Sequence, residues 1–459
     1  MSKSLNIYVP RKLAHINIRG YEKMVKVPMT KDLLMKYTLL ALFVIAFLSY
    51  FVFGLASLVI SLISVGVAVG CDILLSKVMG SKGPKNTMSA AVFGLIVAMS
   101  YSLGLPTIMY TEAIPVLAGG LEQYLYPALI SAVGLIVFKK LQGLAGRKYV
   151  NPAAIAKLLV LGLLFLPAFS SMSALLSTDH ALSIDLQAPL TEEIFGATLI
   201  TCYGDQNTVM TLLTSENLNL FQEALYTMLV AKYHGWIGGF SSIIVIAVGI
   251  ALFAVCRGYI KWRITLTYLV TTAVFSGVMG YIFGGDIILR VVFHLFMGSS
   301  IFLAFFMATD PATTPLTRLG QIIFGAGLAI LTIIIQTYTG FLGGSILALV
   351  IMNLTCPILD RVGVPKPSTT RLKIKLPKAK EVGDAMPTDC IRCGQCLTAC
   401  CKNLPVIMIK EAVDKGNWAR AEKLGAAYCD NCGHCSFVCP ARIDLKSIVV
   451  STRDKIKNQ

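Results

Sequence analysis

Apolar residues in this chain fall into long runs, without the strict alternation that marks a half-buried strand. Ten of these runs approach the roughly 20 residues a helix needs to cross a bilayer core: 36–54, 56–76, 88–104, 123–138, 152–170, 236–256, 264–283, 287–308, 319–338 and 343–360. The polar segments between them alternate in charge. The loops 77–87 (Lys77, Lys82, Lys85), 139–151 (Lys139, Lys140, Arg147, Lys148), 257–263 (Arg257, Lys261, Arg263) and 309–318 (Arg318) are basic. The loops that fall between these on the other face, 105–122, 171–235, 284–286 and 339–342, share a single basic residue, Lys232. Basic loops stay on the cytoplasmic side, so the pattern predicts a multi-pass protein of the cytoplasmic membrane with both termini in the cytoplasm. The fold class expected is an all-α bundle of about ten transmembrane helices.

Composition agrees: 56% of the 459 residues are hydrophobic and 14% charged, which excludes an ordinary soluble globule. The net charge of +16 is read as an orientation signal, since the basic residues gather in one set of loops; no nucleic-acid partner is expected. Residues 1–35, with Arg11, Lys12, Arg19, Lys23, Lys26 and Lys31, read as a basic cytoplasmic arm without the apolar core of a cleavable leader. The loop 171–235 is long for a compact bundle, and long loops tend to be functional or disordered.

Two spans are punctuated alike. Asn151-Pro152-Ala153 opens the fifth, and Thr309-Asp310-Pro311-Ala312 closes the eighth, followed by Thr313 and Thr314. Proline breaks expose backbone groups that lipid cannot satisfy. Paired breaks in two halves point to a ligand site between them, with ordinary proline stops at span ends as the plain alternative. Asp286, Arg290 and His294 share one helical face of the eighth span, either as a functional polar group or as an internally paired one.

After a Pro- and Lys-rich linker, 363–383, the composition changes. Nine of thirteen cysteines lie in the last seventy residues, in two runs of one spacing, C-x2-C-x2-C-x3-C: Cys390, Cys393, Cys396, Cys400, then Cys429, Cys432, Cys435, Cys439 before Pro440. That is the spacing of a two-cluster bacterial ferredoxin, where the fourth cysteine of each run serves the other cluster. The expected ligand sets are therefore crosswise: Cys390, Cys393, Cys396 and Cys439 for one [4Fe–4S] cluster, Cys429, Cys432, Cys435 and Cys400 for the other. The first run ends Cys400-Cys401, so either could ligate; spacing favours Cys400. Disulfides do not suit eight thiols at this spacing in a reducing compartment, and zinc sites favour two separated C-x2-C knuckles. Residues 384–459 are expected to form a small α+β ferredoxin-like domain. Cys71, Cys202, Cys256 and Cys356 lack ligand spacing and read as packing residues.

Three blocks of the membrane region resemble the D subunit of the Rnf complex and the B subunit of the sodium-pumping NADH:quinone oxidoreductase: Asn151-Pro152-Ala153, the stretch from His294-Leu295-Phe296 through Phe305-Phe306-Met307-Ala308-Thr309-Asp310-Pro311, and Gly320-Gln321-Ile322-Ile323-Phe324-Gly325. The resemblance covers about 35–362, and the membrane domain is taken as 36–362. The tail, over about 384–449, resembles the ferredoxin-like end of RnfC, another protein of the Rnf complex, including the intervening stretch Gly416–Lys423. The resemblance implies two related halves enclosing flavin, and FMN esterified to a threonine on the outer face. The family pattern Asp-x-x-Ser/Thr-Gly-Ala-Thr aligns with Glu192-Glu193-Ile194-Phe195-Gly196-Ala197-Thr198; Thr198 is the candidate, with Glu192 and Phe195 as departures. A second, non-covalent flavin, such as riboflavin, is expected in the neighbourhood of Asn151, Thr309, Asp310, Thr313 and Thr314.

The function expected is an electron-transfer subunit of a membrane oxidoreductase, linking a cytoplasmic donor, two clusters and flavin within an Rnf-like ion-translocating complex. Expected partners are the bilayer, the other subunits, and a cytoplasmic ferredoxin, flavoprotein or NADH-oxidising subunit, because the large nucleotide-binding portion of RnfC has no counterpart here. The alternatives are a non-pumping conduit to quinone or an extracytoplasmic flavoprotein reductase, and a redox-regulated carrier.

Overall fold

The structure, a computed structural model of the chain, describes residues 14–18, 21–25, 29–78, 87–101, 122–141, 148–161, 229–230, 236–283, 287–296, 300–339, 344–368 and 388–458. The long loop with Thr198 and Cys202 lies outside the described residues, as do Asp286 and most of the linker.

The arm carries a short antiparallel hairpin, β1 (Ala14–Ile18) paired with β2 (Tyr21–Val25). Helix α1 (Lys31–Phe53) begins inside the arm read from the sequence, because Thr30 caps it: its hydroxyl accepts from Leu33 N at 3.3 Å, and Asp32 favours the positive helix end. The succeeding helices of the membrane region are α2 (Leu55–Val78), α3 (Thr87–Met99), α4 (Glu122–Val133), α5 (Pro152–Leu161), α6 (Ser242–Val255), α7 (Trp262–Phe283), α8 (Ile287–Phe296), α9 (Arg318–Thr339) and α10 (Gly344–Leu359). Four of them, α1, α2, α7 and α9, are long and apolar enough to cross a bilayer; α3, α5, α6 and α10 are shorter apolar helices. In the eighth stretch, α8 and Ser300–Phe302 are α-helical, and the chain then passes into a π-helix, Leu303–Met307.

Helix faces sort by lipid and bundle. On α1, Leu40, Phe43, Phe47 and Phe51 are exposed at helical spacing, while Leu34, Leu42, Ile45 and Ser49 are buried. On α7, Leu266, Val270, Val274 and Val278 form a similar exposed stripe. Such large apolar stripes suit acyl chains. The protein is a mostly helical, multi-pass membrane protein.

Close approach of backbones sets two helix pairs. α2 packs along α3 at Gly94, where a Cβ would lie 2.7 Å from Ser64 O, and α7 packs along α9 at Gly325, where it would lie 2.7 Å from Ile264 O. Small residues allow this kind of contact in a bilayer, where van der Waals packing replaces hydrophobic drive. Gly94→Leu or Gly325→Leu is therefore expected to destabilise the bundle by about 1–3 kcal/mol or more, read as a lower midpoint of thermal unfolding in detergent.

The described halves echo each other. α4 runs on as a π-helix over Gly134–Leu141 before the Asn151-Pro152-Ala153 break, as Ser300–Phe302 runs into the π-helix Leu303–Met307 before Asp310-Pro311-Ala312. π-Turns of this kind recur at functional sites.

The tail is a small helical unit: α11 (Gln395–Thr398), α12 (Val406–Asp414), α13 (Trp418–Lys423), α14 (His434–Phe437) and α15 (Leu445–Lys457) around Leu404, Ile407, Ile409, Ala421, Leu445 and Val449. Among its described residues no strand is present, so the expected α+β character is not visible there. The chain leaving α10 is bound to the tail at once: Val364 packs on its core and Ser368 N donates to Lys402 O at 2.8 Å.

Candidate functional site

The two proline breaks come together. Asn151 is buried; its Oδ1 accepts from Ala153 N (3.0 Å) and Ala154 N (3.2 Å), capping α5, while its Nδ2 donates to Met307 O at 3.2 Å in the opposite half. Asp310 repeats the local turn, its Oδ1 accepting from Ala312 N at 3.1 Å. An Asx side chain two residues ahead of an alanine thus ties each Asx-Pro-Ala unit, and one of the two also bridges the halves.

The hydroxyls of the second break turn inward on the loop. Thr309 donates to Phe305 O (2.7 Å), Thr314 to Asp310 O (2.7 Å), and Thr313 to Asp310 Oδ2 (3.4 Å). Beneath the loop, Lys261 Nζ donates to Pro311 O, Thr314 O and Thr314 Oγ1, each at 2.9 Å. Burial pushes the Lys261 ammonium down to about 8, with the Arg392 guanidinium adding to the effect. Cys356 donates its thiol to Thr313 O at 3.0 Å. Loop 310–317 is therefore fixed by carbonyl contacts, and its side chains hold its shape.

Above this loop sits the first cysteine run. Asp360, at the end of α10, accepts from Leu316 N through Oδ1 and from Arg392 Nη2 through Oδ2, both at 2.8 Å. Arg392 also pairs with Glu411, Gln395 Nε2 donates to Gly258 O, and Lys31 N donates to Pro440 O at 3.0 Å. Leu316 is packed into the tail core with Cys396 and Leu397. Sequence reasoning passed over Asp360, Leu316 and Arg392, and counted Lys261 only among the basic loop residues. The available signal was an acid, Asp360, at the end of a span on the face whose loops are otherwise basic.

Nine thiols of the tail surround two spaces. Cys390, Cys393, Cys396 and Cys439 line one of about 330 Å³, solvent-facing part included; Cys400, Cys401, Cys429, Cys432 and Cys435 line another of about 360 Å³. Gly394 and Gly433 turn the loops with φ of +78° and +75°, a conformation glycine adopts without strain. Those turns aim backbone N–H groups at sulfur: Arg392 at Cys390, Gln395 at Cys393, Asn431 at Cys429 and His434 at Cys432. Burial pushes the Cys393 and Cys435 thiols up to about 12, so thiolates there call for a bound cation. Cys401 Sγ lies 2.9 Å from Cys432 Sγ, so both Cys400 and Cys401 stand at the second space. Among the described residues no three of His, Cys, Asp and Glu converge to hold a single metal ion. An all-sulfur donor set around a larger space is the chemistry that fits iron–sulfur clusters.

His294 is buried on α8; the side chain of Arg290 is outside the described set. Cys71 is half-buried and Cys256 is buried.

Comparison with known proteins covers the membrane region. Residues 24–369 match the NQR2, RnfD, RnfE family. The chain is 26% identical over 330 residues to the D subunit of the Na(+)-translocating ferredoxin:NAD(+) oxidoreductase complex of Acetobacterium woodii, covering 72% of this chain and 87% of that one. It is 28% identical over 339 residues to the D subunit of the proton-translocating ferredoxin:NAD(+) oxidoreductase complex of Clostridium ljungdahlii, covering 72% and 90%. It is 26% identical over 352 residues to the D subunit of the ion-translocating oxidoreductase complex of Aeromonas hydrophila, covering 73% and 95%. The family match ends at 369, ahead of the cysteine-rich tail. With three quarters of its length matched, including both Asx-Pro-Ala breaks and the loop on which the first cysteine run is seated, the chain belongs to the NQR2, RnfD, RnfE family.

Proposed function

We propose that this chain is an electron-transfer subunit of an Rnf-like ion-translocating oxidoreductase, passing electrons between a cytoplasmic donor and flavin in and beyond the membrane. The observation that supports it best is the seating of the Cys390 loop on loop 310–317, which puts an all-thiol site against the break between the halves of an RnfD-type domain. Cys390, Cys393, Cys396 and Cys439 would hold one [4Fe–4S] cluster, and Cys429, Cys432, Cys435 and Cys400 the other. Bound clusters supply one-electron carriers, and flavin joins these to two-electron partners. The chain's own residues shape the sites: glycine-turned amides donate toward sulfur, and Lys261 and Asp360 hold loop 310–317 in place.

Thr198 is the proposed attachment point for FMN, on the outer side of the cytoplasmic membrane. A second flavin, such as riboflavin, would lie near Asn151, Thr309, Asp310, Thr313 and Thr314. Both termini and the tail would be cytoplasmic. The remaining subunits of the complex, with a cytoplasmic ferredoxin, flavoprotein or NADH-oxidising subunit, would deliver or receive electrons. Joining the tail to the membrane domain in one chain favours, as a second reading, a non-pumping conduit to quinone; ion flux in proteoliposomes with the purified complex separates the two.

The test is iron, sulfide and flavin analysis of the purified chain, with flavin fluorescence of the denatured band, repeated for Thr198→Ala. The expected result is about eight irons and a fluorescent band that disappears in the variant. Absence of iron and of flavin would reject the proposal.

A further inference from the structure

The two cysteine loops are near copies of one another. In register, Cys390-Ile391-Arg392-Cys393-Gly394-Gln395-Cys396 lies over Cys429-Asp430-Asn431-Cys432-Gly433-His434-Cys435. Arg392 and Asn431 take left-handed φ of +54° and +59°, and after each run Asn403 and Arg442 do so at +54° and +57°. Local geometry being shared, the differences in sequence at the loop tips are informative. Ile391 and Arg392 are buried, whereas Asp430 and Asn431 are exposed.

The contacts of the two loops differ in the same sense. Ile391 and Cys393 belong to the apolar cluster centred on the membrane helices, and Arg392 and Gln395 reach Asp360 and Gly258 of the membrane domain. The second loop bonds within the tail: Cys429 O accepts from Arg453 Nη1 at 2.8 Å, Asp430 pairs with Lys402 at 3.3 Å, and His434 Nδ1 meets Ala399 O at 2.6 Å.

We propose that the two cysteine sets have fixed and different places in the electron path: the Cys390 set exchanges with the membrane domain, the Cys429 set exchanges with the soluble carrier, and Asp360 is the positioning residue that enforces this order. The inference rests on the reading that both sets hold iron–sulfur clusters. What moves is one electron at a time, with no bond made or broken, and the soluble carrier is its source or sink. Asp360 suits the role because each of its oxygens serves a different domain. One receives the Leu316 amide of the membrane loop, the other the Arg392 guanidinium of the tail. Glu411 of α12 shares that guanidinium, so the cysteine loop, the tail core and the membrane loop are held at one point. A buried ion pair of this kind is intolerant of losing one partner.

Hydrogen exchange of the full chain in lipid nanodiscs tests the docking without relying on bound iron. In Asp360→Ala, residues 388–397 and 311–317 are expected to exchange about tenfold faster or more, while 429–439 keep their protection. Should that variant fail to fold, Asp360→Asn and Gln395→Ala carry the same expectation in weaker form. Unchanged protection at 388–397, or equal loosening of 429–439, overturns the proposal.

Redox titration followed by electron paramagnetic resonance supplies the second readout. Asp360→Asn removes a negative charge beside the first set, so the signal that Cys390→Ala abolishes should titrate at higher potential, with the signal that Cys432→Ala abolishes unmoved. A shift confined to the Cys432 signal also overturns it. A chain without iron would reject the cluster reading, and the exchange result would still decide whether the first loop is the docked one.

Discussion

Replacing Cys393 by alanine is expected to remove about four of about eight irons from the purified chain, and Cys435→Ala is expected to remove the other four. The expectation follows from geometry: each thiol lines only one of the two spaces, and burial disfavours its free thiolate. The sharper experiment uses the fourth cysteines. Cys439 closes the second run in sequence but lines the space of the first, so Cys439→Ala should abolish the same spectroscopic signal as Cys390→Ala. If it abolishes the signal lost in Cys435→Ala, the crosswise sharing is wrong. At the second space a surplus thiol stands by, since Cys400 and Cys401 both reach it. Cys400→Ala alone is therefore expected to keep more iron than Cys435→Ala, and the double variant Cys400→Ala/Cys401→Ala to lose that cluster. Quantitative iron analysis with low-temperature paramagnetic resonance reads all of these.

The parts of this architecture carried by a strong local rule were legible in the sequence. Hydropathy marked the apolar helices of the described membrane region, four of them long enough to cross a bilayer, because a backbone in lipid must bond within its own segment. The spacing of the cysteines announced two thiol nests, because a short loop brings three near neighbours to one space and leaves the fourth thiol of its run for the other. The repeated Asx-Pro-Ala was visible as an echo, and its consequence, Asn151 donating across to Met307, needed the fold. Nothing local could disclose the docking of the tail. Asp360 and Arg392 are 32 residues apart with the linker between them, and each alone is an ordinary charge at a span end or in a basic tail. The sequence marks only the neighbourhood of threonines 309, 313 and 314 as a flavin site; that their hydroxyls bond the loop's own backbone or Asp310 needed the fold. The π-turn of the eighth stretch was also hidden, because Leu303–Met307 is as apolar as a regular helix and leaves no compositional mark.

Asn151→Ala is expected to destabilise the membrane domain by about 1.5–5 kcal/mol. Two losses combine. Removing Oδ1 uncaps α5, leaving Ala153 N and Ala154 N without their acceptor, a loss of about 0.5–2 kcal/mol. Removing Nδ2 strands Met307 O in a buried setting, which costs about 1–3 kcal/mol. The variants separate the two contributions. Asn151→Ser keeps a capping hydroxyl and loses only the bridge, so its thermal midpoint should lie between those of the wild type and Asn151→Ala. Asn151→Asp keeps the acceptor but sets a carboxylate against the Met307 carbonyl, and should be at least as damaging as alanine. Hydrogen exchange locates the effect: the bridge ties α5 to the π-turn 303–307, so loosening in Asn151→Ser should reach Ala308 and Asp310 across the bundle. Loosening restricted to 152–155 in all three variants would mean that Asn151 is a helix cap alone and that the two halves are held together by other contacts.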